Sequence, residues 1–280
     1  MIQGFIIMFR ETLEAALIIS IVLGYLRKSG HWDHRNTVFF GLLCGIAFSI
    51  IGALIFNAVA GGIAGTGEQI FEGLTMLVGA ALLTTMILWM MRQHGISREI
   101  EQKVESHITH SRKLGLFFLV FVSVLREGNE SVIFLSAAGF ASYDRNLGGA
   151  LLGIFAAAIL GYLLFIGSLR LKLGKFFALT NVLLILFAAG LVAQGLHELQ
   201  GAGFVPVVIE HVWDMNPGIT APGSYPLLHE EGTIGSIAKG LFGYNGDPSL
   251  VEVVAYGAYL IVVILVWRLI RSKGSRKHPA

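Results

Sequence analysis

Two short stretches decide how this chain folds: Arg10-Glu11-Thr12-Leu13-Glu14 and Arg126-Glu127-Gly128-Asn129-Glu130. Each lies inside a run otherwise apolar enough to cross a bilayer, where an arginine or aspartate costs about 2.5–3.5 kcal/mol on insertion scales. Two such stretches with the same R-E-x-x-E spacing need a common purpose. Glutamates three apart project from one side of a helix, so two helices can present four carboxylates to one space. Arg10 and Glu14 are four apart, as are Arg126 and Glu130, which allows an ion pair within each helix. On that spacing Glu11 and Glu127 are expected to be the freer carboxylates.

Working outward, the composition fits a membrane interior. Of 280 residues, 55% are hydrophobic and only 14% charged, with a mean hydropathy of +0.73; soluble domains run nearer one-quarter charged. Cys44 is the single cysteine, which excludes an intrachain disulfide and a thiolate metal cluster. Met1-Ile2-Gln3-Gly4 has no basic run and no small-residue cleavage site, so a removable leader is not expected. Nucleic acid is not an expected partner, whereas lipid is.

About 20 apolar residues span the hydrocarbon as helix. Seven such runs are expected, at roughly 2–26, 37–60, 70–92, 114–140, 147–170, 176–198 and 250–270. Ten-residue alternating segments are missing, so the fold class is an all-α integral membrane protein rather than a barrel. Orientation follows from lysine and arginine, which cytoplasmic loops collect. Sixteen of the 20 lie on one side, in the 1–2, 3–4 and 5–6 connections and at the C-terminal end, with only Arg145 and Lys239 on the other and Arg10 and Arg126 within spans. The N-terminus is therefore expected outside and the C-terminus inside. The external 199–249 connection is acidic and expected to be irregular, with Glu210, Asp214, Glu230, Glu231 and Asp247 against Lys239, plus His211, His229 and five of the six prolines.

A repeat is visible. The first and fourth spans carry R-E-x-x-E, while the second and fifth carry small residues at every fourth position: Gly41, Gly45, Ser49, Ala53 and Gly149, Gly153, Ala157, Gly161. Such stripes let helices approach closely in lipid. Three spans per copy force the second to enter from the opposite side, so an inverted 3+3 repeat with a seventh helix appended is expected, within one permease domain over 1–280. Transporters built this way bind substrate near the midplane. The third and sixth spans show no comparable match.

Four carboxylates around one cavity suit a hard, highly charged cation, and no histidine or cysteine accompanies them. A purely structural pair of buried salt bridges needs one glutamate per arginine and leaves two glutamates over. Glu11, Glu14, Glu127 and Glu130 are thus the candidate metal ligands, with Arg10 and Arg126 as supporting ion-pair partners. Glu68 and Glu72, with His197 and Glu198, are candidates for the first outer contacts of an incoming ion; solvated interfacial residues are the equally weighted alternative. Glu99, Glu101, Glu105, His107 and His110 in the 3–4 connection read as a solvated amphipathic stretch ahead of a metal hand-off.

With these residues in view, the chain resembles the high-affinity iron permease family of fungi and bacteria, the oxidase-dependent iron transporters, whose members carry R-E-G-x-E motifs in the first and fourth of seven spans. The likeness covers the layout of all seven spans and is specific at the two motifs, with Thr12 standing where the family usually has glycine. It implies that the four glutamates translocate iron and the two arginines partner them. It implies iron as the transported ion rather than a permanently bound cofactor, with ferric iron delivered by an external oxidase. It also implies periplasmic iron-binding proteins as partners for a bacterial inner-membrane member, which the acidic 199–249 connection is placed to receive. A proton-coupled carrier of another divalent metal or of a small organic acid is the alternative. An enzyme is not expected, since no nucleophile–base or zinc-binding constellation is present.

Overall fold

The structure, a computed structural model, describes residues 2–90, 113–139, 143–166, 173–216, 225–226, 229 and 232–275. Its elements are α1 (Ile2–Lys28), a 3-10 turn (Trp32–His34), α2 (Arg35–Gly61), α3 (Thr66–Met90), α4 (Lys113–Gly139), α5 (Tyr143–Phe165), α6 (Leu173–Gly201), α7 (Thr233–Phe242) and α8 (Leu250–Ser275). Strands do not occur among the described residues. Among the described residues four stretches are long and apolar enough to cross a membrane, Trp32–Gly61, Thr66–Trp89, Ala178–Gly201 and Leu250–Ile270, within or around α2, α3, α6 and α8. At 27 residues each, α1 and α4 have the length, about 40 Å at 1.5 Å per residue, but their motif charges interrupt the apolar run. A shorter apolar helical stretch, Leu147–Leu163, lies in α5.

The chain forms two compact units, one holding α1, α2, α4 and α5 and the other α3, α6, α7 and α8. In the first, α2 is built inside out. Beyond Val38 its buried face is Gly41, Gly45 and Ser49, while Phe40, Leu43, Leu54 and Ile55 point outward. That arrangement suits lipid, where helix contact is won by close approach rather than by hiding large apolar groups. A Cβ on Gly41 would stand 2.9 Å from the Phe117 carbonyl oxygen, and one on Gly45 2.8 Å from Val124 Cβ. The stripe of α2 therefore seats against α4. The stripe of α5 seats against α1: a Cβ on Gly153 would stand 2.6 Å from the Phe5 carbonyl oxygen, and one on Gly161 2.6 Å from Ala16 Cβ. Where α1, α2 and α4 meet, Val22, Leu23, Leu26, Val38, Leu116, Val120 and Val124 form an apolar core.

In the second unit α3 and α6 touch backbone to backbone. A Cβ on Gly73 would lie 2.8 Å from the Gly195 carbonyl oxygen, and one on Gly195 would lie 2.9 Å from that of Gly73. Helix α8 is joined to α3 by a 2.6 Å hydrogen bond between Thr84 Oγ1 and Tyr259 OH. It starts in a capping box: the Ser249 N–H donates to Glu252 Oε1 (3.0 Å) and the Glu252 N–H to Ser249 Oγ (3.3 Å), which satisfies donors a helix start otherwise leaves open.

The described parts of the 199–249 connection are more ordered than its composition suggests. Residues 233–242 form α7, which ends at Gly243 in the left-handed region (φ 67°); Gly243 lies against Gly190 of α6 with no space for a Cβ on either. The 209–215 segment runs beside 246–250, tied by Val212 N–H to Pro248 O (2.9 Å), Met215 N–H to Gly246 O (2.7 Å) and Leu250 N–H to Ile209 O (3.1 Å). Irregular backbone is thus satisfied by its own neighbour rather than by solvent.

Candidate metal site

Both R-E-x-x-E stretches lie in the first unit, on α1 and α4, and their carboxylates converge. One carboxylate oxygen from each of Glu11, Glu127 and Glu130 lies within 4.8 Å of the other two. Glu11 and Glu127 are buried, and Glu130 is half-buried. Glu14 is within electrostatic range of all three. Oε2 of Glu11, Glu127 and Glu130 are each buried and accept no hydrogen bond. Unpartnered buried carboxylate oxygens are costly, and three from neighbouring residues form a donor set for a hard cation.

The arginines make the i, i+4 ion pairs that the spacing allows, and each also holds the glutamate next to it more closely. Arg10 Nη1 donates to Glu11 Oε1 at 2.7 Å, while Nη2 stands 3.0 Å from Glu14 Oε1 without hydrogen-bond alignment. Arg126 gives Glu127 Oε1 two bonds, from Nη2 at 2.6 Å and Nε at 3.0 Å, and lies 3.7 Å from Glu130. Glu11 and Glu127 are therefore the held carboxylates, not the freer ones. They are the most deeply buried of the four, so their charges most need a partner, and a guanidinium with five donors on a long stem can bend to its neighbour. The two arginines also differ in setting. The Arg10 side chain is fully buried, whereas that of Arg126 is 50% exposed.

Two hydroxyls support the fourth-helix motif, neither visible as functional in the sequence. Ser131 Oγ donates to the Glu127 carbonyl oxygen at 2.8 Å, and Ser49 of α2 packs directly on Gly128. Ser49 stands at the centre of the small-residue stripe, which is the signal that marks it.

Glu68, Glu72, His197 and Glu198, the residues expected as first contacts of an incoming ion, fall in the second unit. Glu68 is exposed and Glu72 half-buried on α3; Glu198 of α6 has its Cβ 3.3 Å from the Cβ position of Gly73, and Glu68 and Glu198 act electrostatically on Glu72. These three carboxylates gather. His197 is engaged elsewhere: its Nδ1 lies 2.9 Å from Glu252 Oε1, whose other oxygen accepts from Asn245 Nδ2 at 2.6 Å. Glu99, Glu101, Glu105, His107 and His110 lie outside the described residues.

Comparison with known proteins accords with the paired motifs. The model of the Iron permease FTR1 family matches residues 1–278. The chain belongs to that family. The ferrous iron permease EfeU of Shigella sonnei (strain Ss046) is 32% identical over 277 residues, 96% of each chain. That of Yersinia pestis is 31% identical over 275 residues, 96% of this chain and 94% of the relative. No solved structure matches. Like its family, this chain is a multi-pass membrane protein of iron transport.

Proposed function

We propose that the chain imports iron through one site made by Glu11, Glu14, Glu127 and Glu130, with Arg10 and Arg126 offsetting part of their charge. The observation that carries this reading is the meeting of Glu11, Glu127 and Glu130 within 4.8 Å. Four carboxylates and two guanidiniums leave a net charge of about −2 when all are ionised, and four buried oxygens there, one from each glutamate, accept no hydrogen bond. A passing cation supplies the missing partner. Iron is the cargo in this reading, and no permanently bound cofactor is invoked. The relatives' printed name gives ferrous iron as the first form to measure; ferric iron handed over by an external oxidase is the second.

The same reading takes 1–280 as one permease domain of seven spans in the inner membrane, N-terminus outside, with the first three and next three as inverted copies. Its support is the exchange of partners, the α2 stripe seating on α4 and the α5 stripe on α1. Glu68, Glu72 and Glu198 serve as first outer contacts, and the acidic 199–249 connection as the place where an external protein docks. Radiolabelled iron uptake into cells and proteoliposomes tests the site: Glu11→Gln and Glu127→Gln, at matched expression, are expected to abolish flux. Unchanged flux in both overturns it.

A further inference from the structure

The geometry points to Arg126 as the residue that sets which charge state of iron the site prefers, an inference that rests on the glutamate site proposed above. The two arginines are equivalent in sequence and unequal in place. Arg10 is buried and flanked by Glu11 and Glu14 at 2.7 and 3.0 Å, so its charge is a fixed part of the fold. Arg126 is half-exposed, and its two hydrogen bonds to Glu127 end on one oxygen, Oε1.

Arg126 subtracts one unit from the negative charge that a bound ion meets. With both arginines in place and all glutamates ionised, a divalent ion brings the six-residue cluster to neutrality and a trivalent ion overshoots by one. Without Arg126 the trivalent ion is the one that neutralises it. Differential preference follows from charge alone, since a unit positive charge a few ångströms away repels a trivalent ion more than a divalent one at any effective dielectric. Arg126 is thus a positioned counter-charge that favours the divalent ion. The expected effect is about tenfold or more.

Equilibrium binding to the purified full chain in detergent tests this. The probes are radiolabelled Fe(II) under anaerobic ascorbate and Fe(III) buffered by citrate. Arg126→Gln is expected to raise the ratio of Fe(III) to Fe(II) affinity about tenfold over wild type, and Arg126→Lys, which keeps the charge, to stay near wild type. Asn129→Asp, at an exposed position in the same motif, adds a negative charge and is expected to move the ratio in the same direction as Arg126→Gln, so the test survives if Arg126→Gln does not fold. A ratio unmoved in the variants that fold, while Glu127→Gln weakens both ions, overturns the role of Arg126 and leaves the site standing. A Lys variant that shifts the ratio as far as Gln also overturns it. Wild type that binds neither ion, or Glu127→Gln that binds both like wild type, overturns the glutamate site and this inference with it.

Discussion

Gly128 of α4 and Ser49 of α2 meet with no space for one added carbon: a Cβ at 128 would fall within the Ser49 side chain. This contact lies in the middle of the second R-E-x-x-E stretch, so it fixes the depth and rotation at which Glu127 and Glu130 are presented. Gly128→Ala is expected to lose about 1–3 kcal/mol through overpacking, and Ser49→Gly to restore part of that loss in the double variant. Thermal unfolding in detergent over the four-member cycle measures the coupling. A double variant no more stable than Gly128→Ala would mean that the contact does not limit the packing.

Arg10 and Arg126 are expected to differ in their cost to stability. Removing the Arg10 charge leaves Glu11 and Glu14 without their compensating partner in a buried setting, a loss of about 3–5 kcal/mol for breaking a buried pair. The half-exposed Arg126 is less enclosed, so its removal is expected to cost less than that of Arg10. Arg10→Gln should therefore aggregate or melt far below wild type, while Arg126→Gln stays monodisperse on size-exclusion chromatography. Equal melting points would contradict the asymmetry.

The start of α8 gives a third expectation. Ser249→Ala removes one arm of the capping box and should cost about 1 kcal/mol. Glu252→Ala should cost more, about 2–3 kcal/mol, because Ser249, His197 and Asn245 all lose an acceptor and two of these three contacts are side chains from other elements. Melting points of the two variants rank them, and the reverse order would show that the box, not the wider network, carries the stability.

Different parts of this architecture are legible in the sequence to different degrees, for physical reasons. The convergence of Glu11 with Glu127 and Glu130 follows from i, i+3 spacing in two apolar runs, because periodicity alone decides which side a helix presents. The two stripes read as contact faces because small residues recur at every fourth position. Gly73 and Gly195, which bring α3 and α6 equally close, carry no such recurrence; an isolated glycine among 35 gives no hint of its opposite number. The choice each arginine makes between its two glutamates depends on which carboxylate is deeper, and depth is a tertiary quantity. Ser249-x-x-Glu252 carries the capping-box signature in the chain itself. The arrival of His197, 55 residues away, does not, and α7 is hidden by the glycines and prolines around it.

His211 and Asp247 give a pH-dependent expectation outside the spans. Asp247 Oδ1 lies 2.7 Å from His211 Nδ1, and this hydrogen bond, with the attraction of the same carboxylate, raises the imidazole pKa above its ordinary value. A group whose folded pKa is raised contributes stability in full below its unfolded pKa, near 6.5, and loses it as pH rises through the folded value. The pair bridges the 209–215 and 246–250 segments, whose backbones already hydrogen-bond, so the charge acts as a clasp that loosens towards alkaline pH. Wild type should therefore melt above Asp247→Asn at mildly acidic pH, with the gap closing as pH passes above 6.5 and through the raised pKa. The imidazole is exposed, so screening keeps the gap small and salt should shrink it further. Thermal unfolding of both proteins across that range, at low and high ionic strength, checks the sign. A gap that widens with rising pH would overturn the assignment of the charged imidazole as the stabilising form.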